Sequence, residues 1–418
     1  MSILFYNFFL LLYKISVRIS SLFNPKAEKW LKGRKNIFER LRNTIPGNAR
    51  PIWIHCSSLG EFEQGRPVIE KLRKEYPGHK ILLTFFSPSG YEEMKGFTGS
   101  DWVFYLPLDG PVSAKRFLSI TSPCMVLFVK YEFWYYYLKK IRYRDIPLIL
   151  ISASFRKNSP FFKWYGFLQR KMLSRFNHLF VQNESSKELI DGIGLSSICS
   201  VSGDTRFDRV IEVAEKSDPV PFIEKFLNGY KCIIAGSTWE EDEYLLSHLD
   251  LEENKIKLII APHEINEKHI TGLKKIFQNP LLYSVLSNEH PDYSAGNTLI
   301  IDSIGLLSRL YRHASIAYIG GGFKSSGIHN VLEAAVYGKP VLFGPNYKKF
   351  NEAVGLIKRG GGFSVSDTES LEKKVEVFLK NENEYSRACR ASENYVQSMK
   401  GATQKIIQYI QENRLLIN

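Results

Sequence analysis

The stretch that decides the fold is YIGGGFKSSGIHNVLEAAVYGKPVLFGP, Tyr318 to Pro345. An apolar run ends in Gly320-Gly321-Gly322, a small-residue turn follows, and His329-Asn330-Val331-Leu332-Glu333 opens a helical pattern. Gly338 and Pro340 close that pattern just before a second apolar run. Strand, glycine turn, helix and strand in this order are a parallel βαβ unit. A helix start offers free backbone N–H groups and a favourable dipole to a phosphate, and Glu333 is placed to accept from ribose hydroxyls. Glycines also serve tight turns and close packing, so the turn by itself does not specify a ligand.

Outward from this unit the same alternation runs through the chain. Strands are expected near 52–57, 81–86, 102–106, 125–129, 148–152, 178–181 and 198–202. After the polar passage EKSDPVPF they resume near 232–235, 257–260, 298–301, 316–319 and 340–343. Continuous apolar strands separated by helices imply parallel sheets covered on both faces. At 418 residues the chain is long for one core. The expected fold class is therefore α/β, with two doubly wound Rossmann-like domains whose ligands bind beyond the carboxyl ends of the strands, in a cleft.

A second βα turn carries an acid. In WIHCSSLGEFEQGRPVIEKL, Trp53 to Leu72, a strand stops in small residues and Glu61 stands in the first turn of the next helix. Such an acid complements the helix dipole by about 0.3–1 kcal/mol, or it serves as a catalytic base. The residues alone leave both open. His55 reads as a strand residue, His329 as part of a turn, and Glu132 as an acid among many nearby Lys and Arg side chains.

The net charge of +13 is unevenly spread. Residues 26–50 hold eight Lys/Arg against two Glu, and residues 130–175 hold eleven against Glu132 and Asp145. A basic, aromatic-rich surface attracts nucleic acid, an anionic membrane or a phosphorylated substrate alike. With no nucleic-acid-binding motif in the chain, the membrane and the substrate are favoured. Five scattered cysteines without a CxxC pair argue against a disulfide framework or a cysteine zinc site and fit a reducing compartment.

The N-terminal run Ile3 to Tyr13 is apolar and aromatic and leads into the first basic stretch. Eleven helical residues rise about 16 Å, roughly half a bilayer core. An apolar anchor followed by a polybasic surface suits the anionic cytoplasmic leaflet. The aromatic runs 133–137 and 161–167, interleaved with basic residues, read either as core or as a surface facing membrane or acyl chains.

With SSLGEFEQGRP, TFFSPSGYE, KYEFWYYYL, SASFR, GDTRFD, GSTWEEDE, DSIGLLSRLYRHASIAYIGGG and GIHNVLEAAVYGKPVLFGP in this order, the chain resembles the 3-deoxy-D-manno-octulosonic acid (Kdo) transferases. The resemblance implies the GT-B fold and inverting transfer of Kdo from CMP-Kdo to a lipid A precursor at the cytoplasmic face of the inner membrane. It implies Glu61 as general base and Glu132 and Arg206 as stabilisers of the transition state. It places CMP on Pro262, His263, Ile304, Gly305, Leu306 and Asn330 to Glu333, with no cofactor and no metal. The organisation it implies is a membrane-associated helix (1–25), an acceptor-binding domain (26–210), a CMP-Kdo-binding domain (211–395) and a C-terminal helix (396–418) packing across the junction. Two other readings are a GT-B transferase or epimerase acting on a UDP-sugar, and a non-catalytic lipid-binding protein of the same fold.

Overall fold

The computed structural model describes residues 3–216, 218–286, 293 and 296–416. It divides into two compact units, Met1–Asp208 with Gly401–Asn418, and Arg209–Lys400.

The first unit is built on a seven-stranded sheet: β1 Ile52–Cys56, β2 Ile81–Phe85, β3 Trp102–Tyr105, β4 Met125–Val129, β5 Leu148–Ala153, β6 His178–Val181 and β7 Cys199–Val201. Their order is β3-β2-β1-β4-β5-β6-β7, and every pair is parallel. Successive side chains point to opposite faces, and each face has its own core. Trp53, Val126 and Phe128 pack on one side, Ile54, Cys56, Leu127 and Val129 on the other. The two ends of the chain complete these cores. Tyr6 and Leu10 of the N-terminal helix Ile3–Ser20 join the first. Ile406, Ile407 and Ile410 of the last helix, Ala402–Glu412, join the second, its entry fixed by backbone N–H groups of Gly401 and Thr403 donating to Asp208.

The second unit repeats the plan with β8 Lys231–Thr238, β9 Ile256–Pro262, β10 Leu281–Leu282, β11 Thr298–Ile300, β12 Ile316–Ile319, β13 Val341–Phe343 and β14 Gly362–Ser364. The order is β10-β11-β9-β8-β12-β13-β14, again all parallel. The strand edges β10 and β14 lie outside the sequence expectation, because two or three residues led by Leu-Leu or Gly make no apolar run.

The N-terminal helix, expected within residues 1–25, runs over Ile3–Ser20, past the eleven-residue apolar run, and among the described residues it alone is long and apolar enough, by length and composition, to cross a membrane. The aromatic run is core: Tyr135, Tyr136 and Tyr137 are buried, whereas Trp164 and Phe167 of the later run stand in solvent.

Candidate active site

In both sheets the strand order reverses next to the first strand, between β1 and β4 and between β8 and β12. The carboxyl ends of these strands are where a doubly wound sheet binds its ligands.

In the first unit, Ser58 stands at the N-cap position of the helix Leu59–Glu75 that follows β1, without a side-chain capping bond. Glu61 reaches back so that one carboxylate oxygen accepts the Ser57 backbone N–H. Burial, then the neighbouring charge of Glu132, push its carboxyl up to about 7, while the Ser57 N–H and Lys130 pull the other way. An acid merely complementing a dipole would be held low, whereas the surroundings of this one bring its ionisation near neutrality.

Beyond β4 the chain turns through Lys130 in the left-handed region (φ 65°), and Glu132 comes to rest buried. Its Oε2 lies 2.8 Å from His55 Nε2 and accepts from Trp134 Nε1 at 2.5 Å. His55, fully buried on β1, is oriented by Thr84, whose carbonyl and hydroxyl oxygens lie 3.0 and 2.9 Å from Nδ1. Glu132 is thus held by an imidazole and an indole rather than in the Lys/Arg pairing that its neighbourhood in sequence suggests. Arg206 opens the helix Thr205–Lys216 beyond β7. Its guanidinium forks onto Asp204, with Nε 3.0 Å and Nη2 2.7 Å from Oδ2. Next to it, the Thr205 hydroxyl donates to the Gln64 carbonyl in the Glu61 helix. The segments after β1, β4 and β7 therefore place Glu61, Glu132 and Arg206 at the carboxyl ends of the strands, with Glu61 and Glu132 close enough to feel each other's charge.

In the second unit, Pro262 ends β9 and the His263 N–H donates to the Thr238 carbonyl at 2.9 Å. The His263 ring packs against both Trp239 and His329, with centroids 4.7 and 4.4 Å away and interplanar angles of 33° and 32°, while the Trp239 Nε1–H donates to His329 Nε2 at 3.3 Å. Lys324 Nζ sits 3.4 Å above the Trp239 ring. Burial lowers both imidazoles, His329 to about 4 with help from His263, so this stack is neutral at physiological pH. Asp242, fully buried, accepts from Trp239 N–H, Gly321 N–H and the Tyr318 hydroxyl, which ties the turn after β8 to the glycine turn after β12.

The glycines of that turn answer to packing. A Cβ on Gly320 would meet the Ser237 carbonyl oxygen at 2.3 Å, one on Gly322 the Gly344 backbone at 2.4 Å, and Gly321 has φ 86°. The helix beyond is also shorter than the sequence suggests, a single turn from Leu332 to Ala335. Asn330 accepts from the Leu332 N–H at 3.1 Å and donates to Glu333 Oε1 at 3.0 Å. Val331 and Leu332 are fully buried and hold that pair in place. Gly305 turns in the left-handed region (φ 88°) between an exposed Ile304 and Leu306, which precedes a short helix at Leu307. Among the described residues there is no group of three or more His, Cys, Asp or Glu side chains fit to hold a metal ion.

Sequence reasoning passed over His55, Thr84, Asp204 and Asp242 as partners. Their polarity inside or beside apolar strands was the available signal, since a buried polar side chain demands a partner.

Two all-parallel doubly wound units define the GT-B class of glycosyltransferases. The UDP-GlcNAc 2-epimerase from Neisseria meningitidis bound to UDP-GlcNAc superposes with a TM-score of 0.62 at 18% identity, over 87% of this chain and 100% of that one, a likeness of fold. Residues 34–209 match the family model of the 3-deoxy-D-manno-octulosonic-acid transferases (kdotransferases). The chain is 29% identical over 357 residues to the 3-deoxy-D-manno-octulosonic acid transferase of Aquifex aeolicus, covering 81% of this chain and 91% of that protein. With the transferase of Haemophilus influenzae the identity is 29% over 373 residues, 85% of each chain. The chain is thus similar to Kdo transferases over most of its length, and their family model matches its first unit.

Proposed function

We propose that the protein transfers Kdo from CMP-Kdo to a lipid A precursor, at the cytoplasmic face of the inner membrane and with inversion at the anomeric carbon. The observation that carries this reading is the carboxyl of Glu61, brought to about 7 at the switch point of the first sheet by burial and by Glu132. A sugar hydroxyl is a poor nucleophile at neutral pH, and a carboxylate of that basicity takes its proton as the new bond forms. The acceptor oxygen bonds to the anomeric carbon, the bond from that carbon to the phosphate oxygen breaks, and CMP leaves with the electron pair. Glu132 and Arg206 face charge that develops along this path. CMP is a monophosphate, so the reading assigns no metal to bridge a diphosphate.

The donor is assigned to the second unit. Asn330 and Glu333 suit the ribose, the neutral Trp239–His263–His329 stack suits an aromatic base, and the turn at Ile304 to Leu306 completes the set. The lipid acceptor is assigned to the first unit, whose N-terminal helix exposes Leu4, Phe5, Phe8, Phe9, Leu11 and Leu12. That apolar face, followed by the basic helix Pro25–Arg34, suits an anionic leaflet. Incubating the purified protein with CMP-Kdo and a lipid A precursor, then weighing the lipid, tests the reading. Addition of Kdo with stoichiometric CMP release is expected; an unchanged lipid contradicts it.

A further inference from the structure

The loop that carries Glu132 and the first turn of the helix it enters, Tyr135–Tyr143, are gripped from two sides. Toward the sheet, Glu132 meets His55 and Trp134. Toward the outside it meets the N-terminal helix. The Tyr6 hydroxyl donates to Asp109 Oδ2 at 2.7 Å and accepts the Tyr135 backbone N–H at 3.2 Å. The same buried carboxylate accepts the N–H groups of Tyr136 and Tyr137 at 2.9 and 3.1 Å, and the Tyr136 hydroxyl donates to Asn7 at 2.8 Å.

A second line of contact runs through rings. Tyr13, two turns beyond Tyr6, lies 5.9 Å from Phe86, and Phe86 lies 4.6 Å from Trp134, the indole that donates to Glu132. Trp30 meets both Tyr13 and Phe86 edge-on at 5.7 Å. Tyr6, Leu10 and Tyr13 recur at helical spacing and make one stripe, while Phe5, Phe8, Leu12 and Ile15 of the same helix are exposed. A simple tether to a membrane needs no such contacts, since a flexible linker anchors as well.

We propose that Tyr6 is a positioning residue for transfer: with Asp109 it fixes the first turn of the helix Tyr135–Tyr143 and so the Lys130–Trp134 loop that leads into it, making the apolar N-terminal helix part of the acceptor-side machinery as well as an anchor. This rests on the transferase reading above. Removing the hydroxyl leaves the Tyr135 N–H without its acceptor and the buried Asp109 one donor short, and both losses fall on the backbone that aims Glu132 and Trp134.

The test is Tyr6→Phe, which keeps the ring in the core. Turnover is measured on the lipid acceptor and on its deacylated, water-soluble counterpart, and amide exchange is followed over residues 130–137. The expected result is a loss of kcat of at least tenfold on both acceptors, less than twofold change in KM for CMP-Kdo, and at least tenfold faster exchange in the loop. Wild-type kcat on the deacylated acceptor, or unchanged exchange, overturns the proposal and leaves the helix an anchor alone. A wild-type protein inactive on both acceptors overturns the transferase reading instead, and the positioning role with it.

Discussion

Glu61 shows how one side chain acquires a task from its surroundings. In sequence it is a first-turn acid; in the fold it lies half-buried beside a second carboxylate, and each of these raises its pKa. If it acts as base, kcat climbs with pH through about 7, as the carboxyl ionises. Glu132→Gln removes the neighbouring charge, so the acid limb moves to lower pH, and a pH–rate profile of the variant measures the displacement. The stability consequence has the opposite sense. A carboxyl raised above its unfolded value of about 4.3 stabilises the fold less as pH rises from there through about 7. Glu61→Gln is accordingly expected to melt above the wild type at pH 8 and near it at pH 4. The acid itself was legible from its place after a strand; its basicity was not, because it arises from burial in the fold and then from Glu132, 71 positions away in the chain.

Elements were legible where burial on both faces left a long apolar record. β4, Met125–Val129, was expected with those bounds and is buried at every position. Short edge strands left no such record, and the glycine turn misled in part: Gly320 and Gly322 are small because backbones approach there, and the following helix lasts one turn. The N-terminal helix continues past its apolar run because Lys14, on an exposed face, interrupts hydropathy without interrupting hydrogen bonding. Its outer face carries the membrane prediction. Phe8→Ser with Phe9→Ser, both exposed, should weaken binding to anionic vesicles by tenfold or more, since burying one such ring is worth roughly 1.5–3 kcal/mol. Cosedimentation measures it, and unchanged thermal melting shows that the fold is intact.

At the scale of the whole molecule, the two units repeat one architecture around different chemistry. The first sheet ends in carboxylates and an arginine; the second ends in neutral imidazoles and an indole with Asn330 and Glu333 nearby. The repeated βα rhythm made the architecture readable, and ordered motifs made the resemblance to Kdo transferases readable, but the partners of each polar group come from strands far apart in the chain and had to be seen. A donor site for CMP predicts that CMP raises the melting temperature, by about 2.7 kcal/mol of stabilisation at a hundredfold excess over its Kd, and that UDP at the same concentration does not. A UDP-sugar enzyme gives the reverse in differential scanning fluorimetry.

The central claim, that Glu61 takes the acceptor proton, is tested most directly by single-turnover transfer from CMP-Kdo with Glu61→Gln at pH 8. The account predicts a 10²–10⁴-fold slower transfer, with CMP binding retained and a melting temperature no lower than the wild type's. Transfer at the wild-type rate by the folded variant would contradict it.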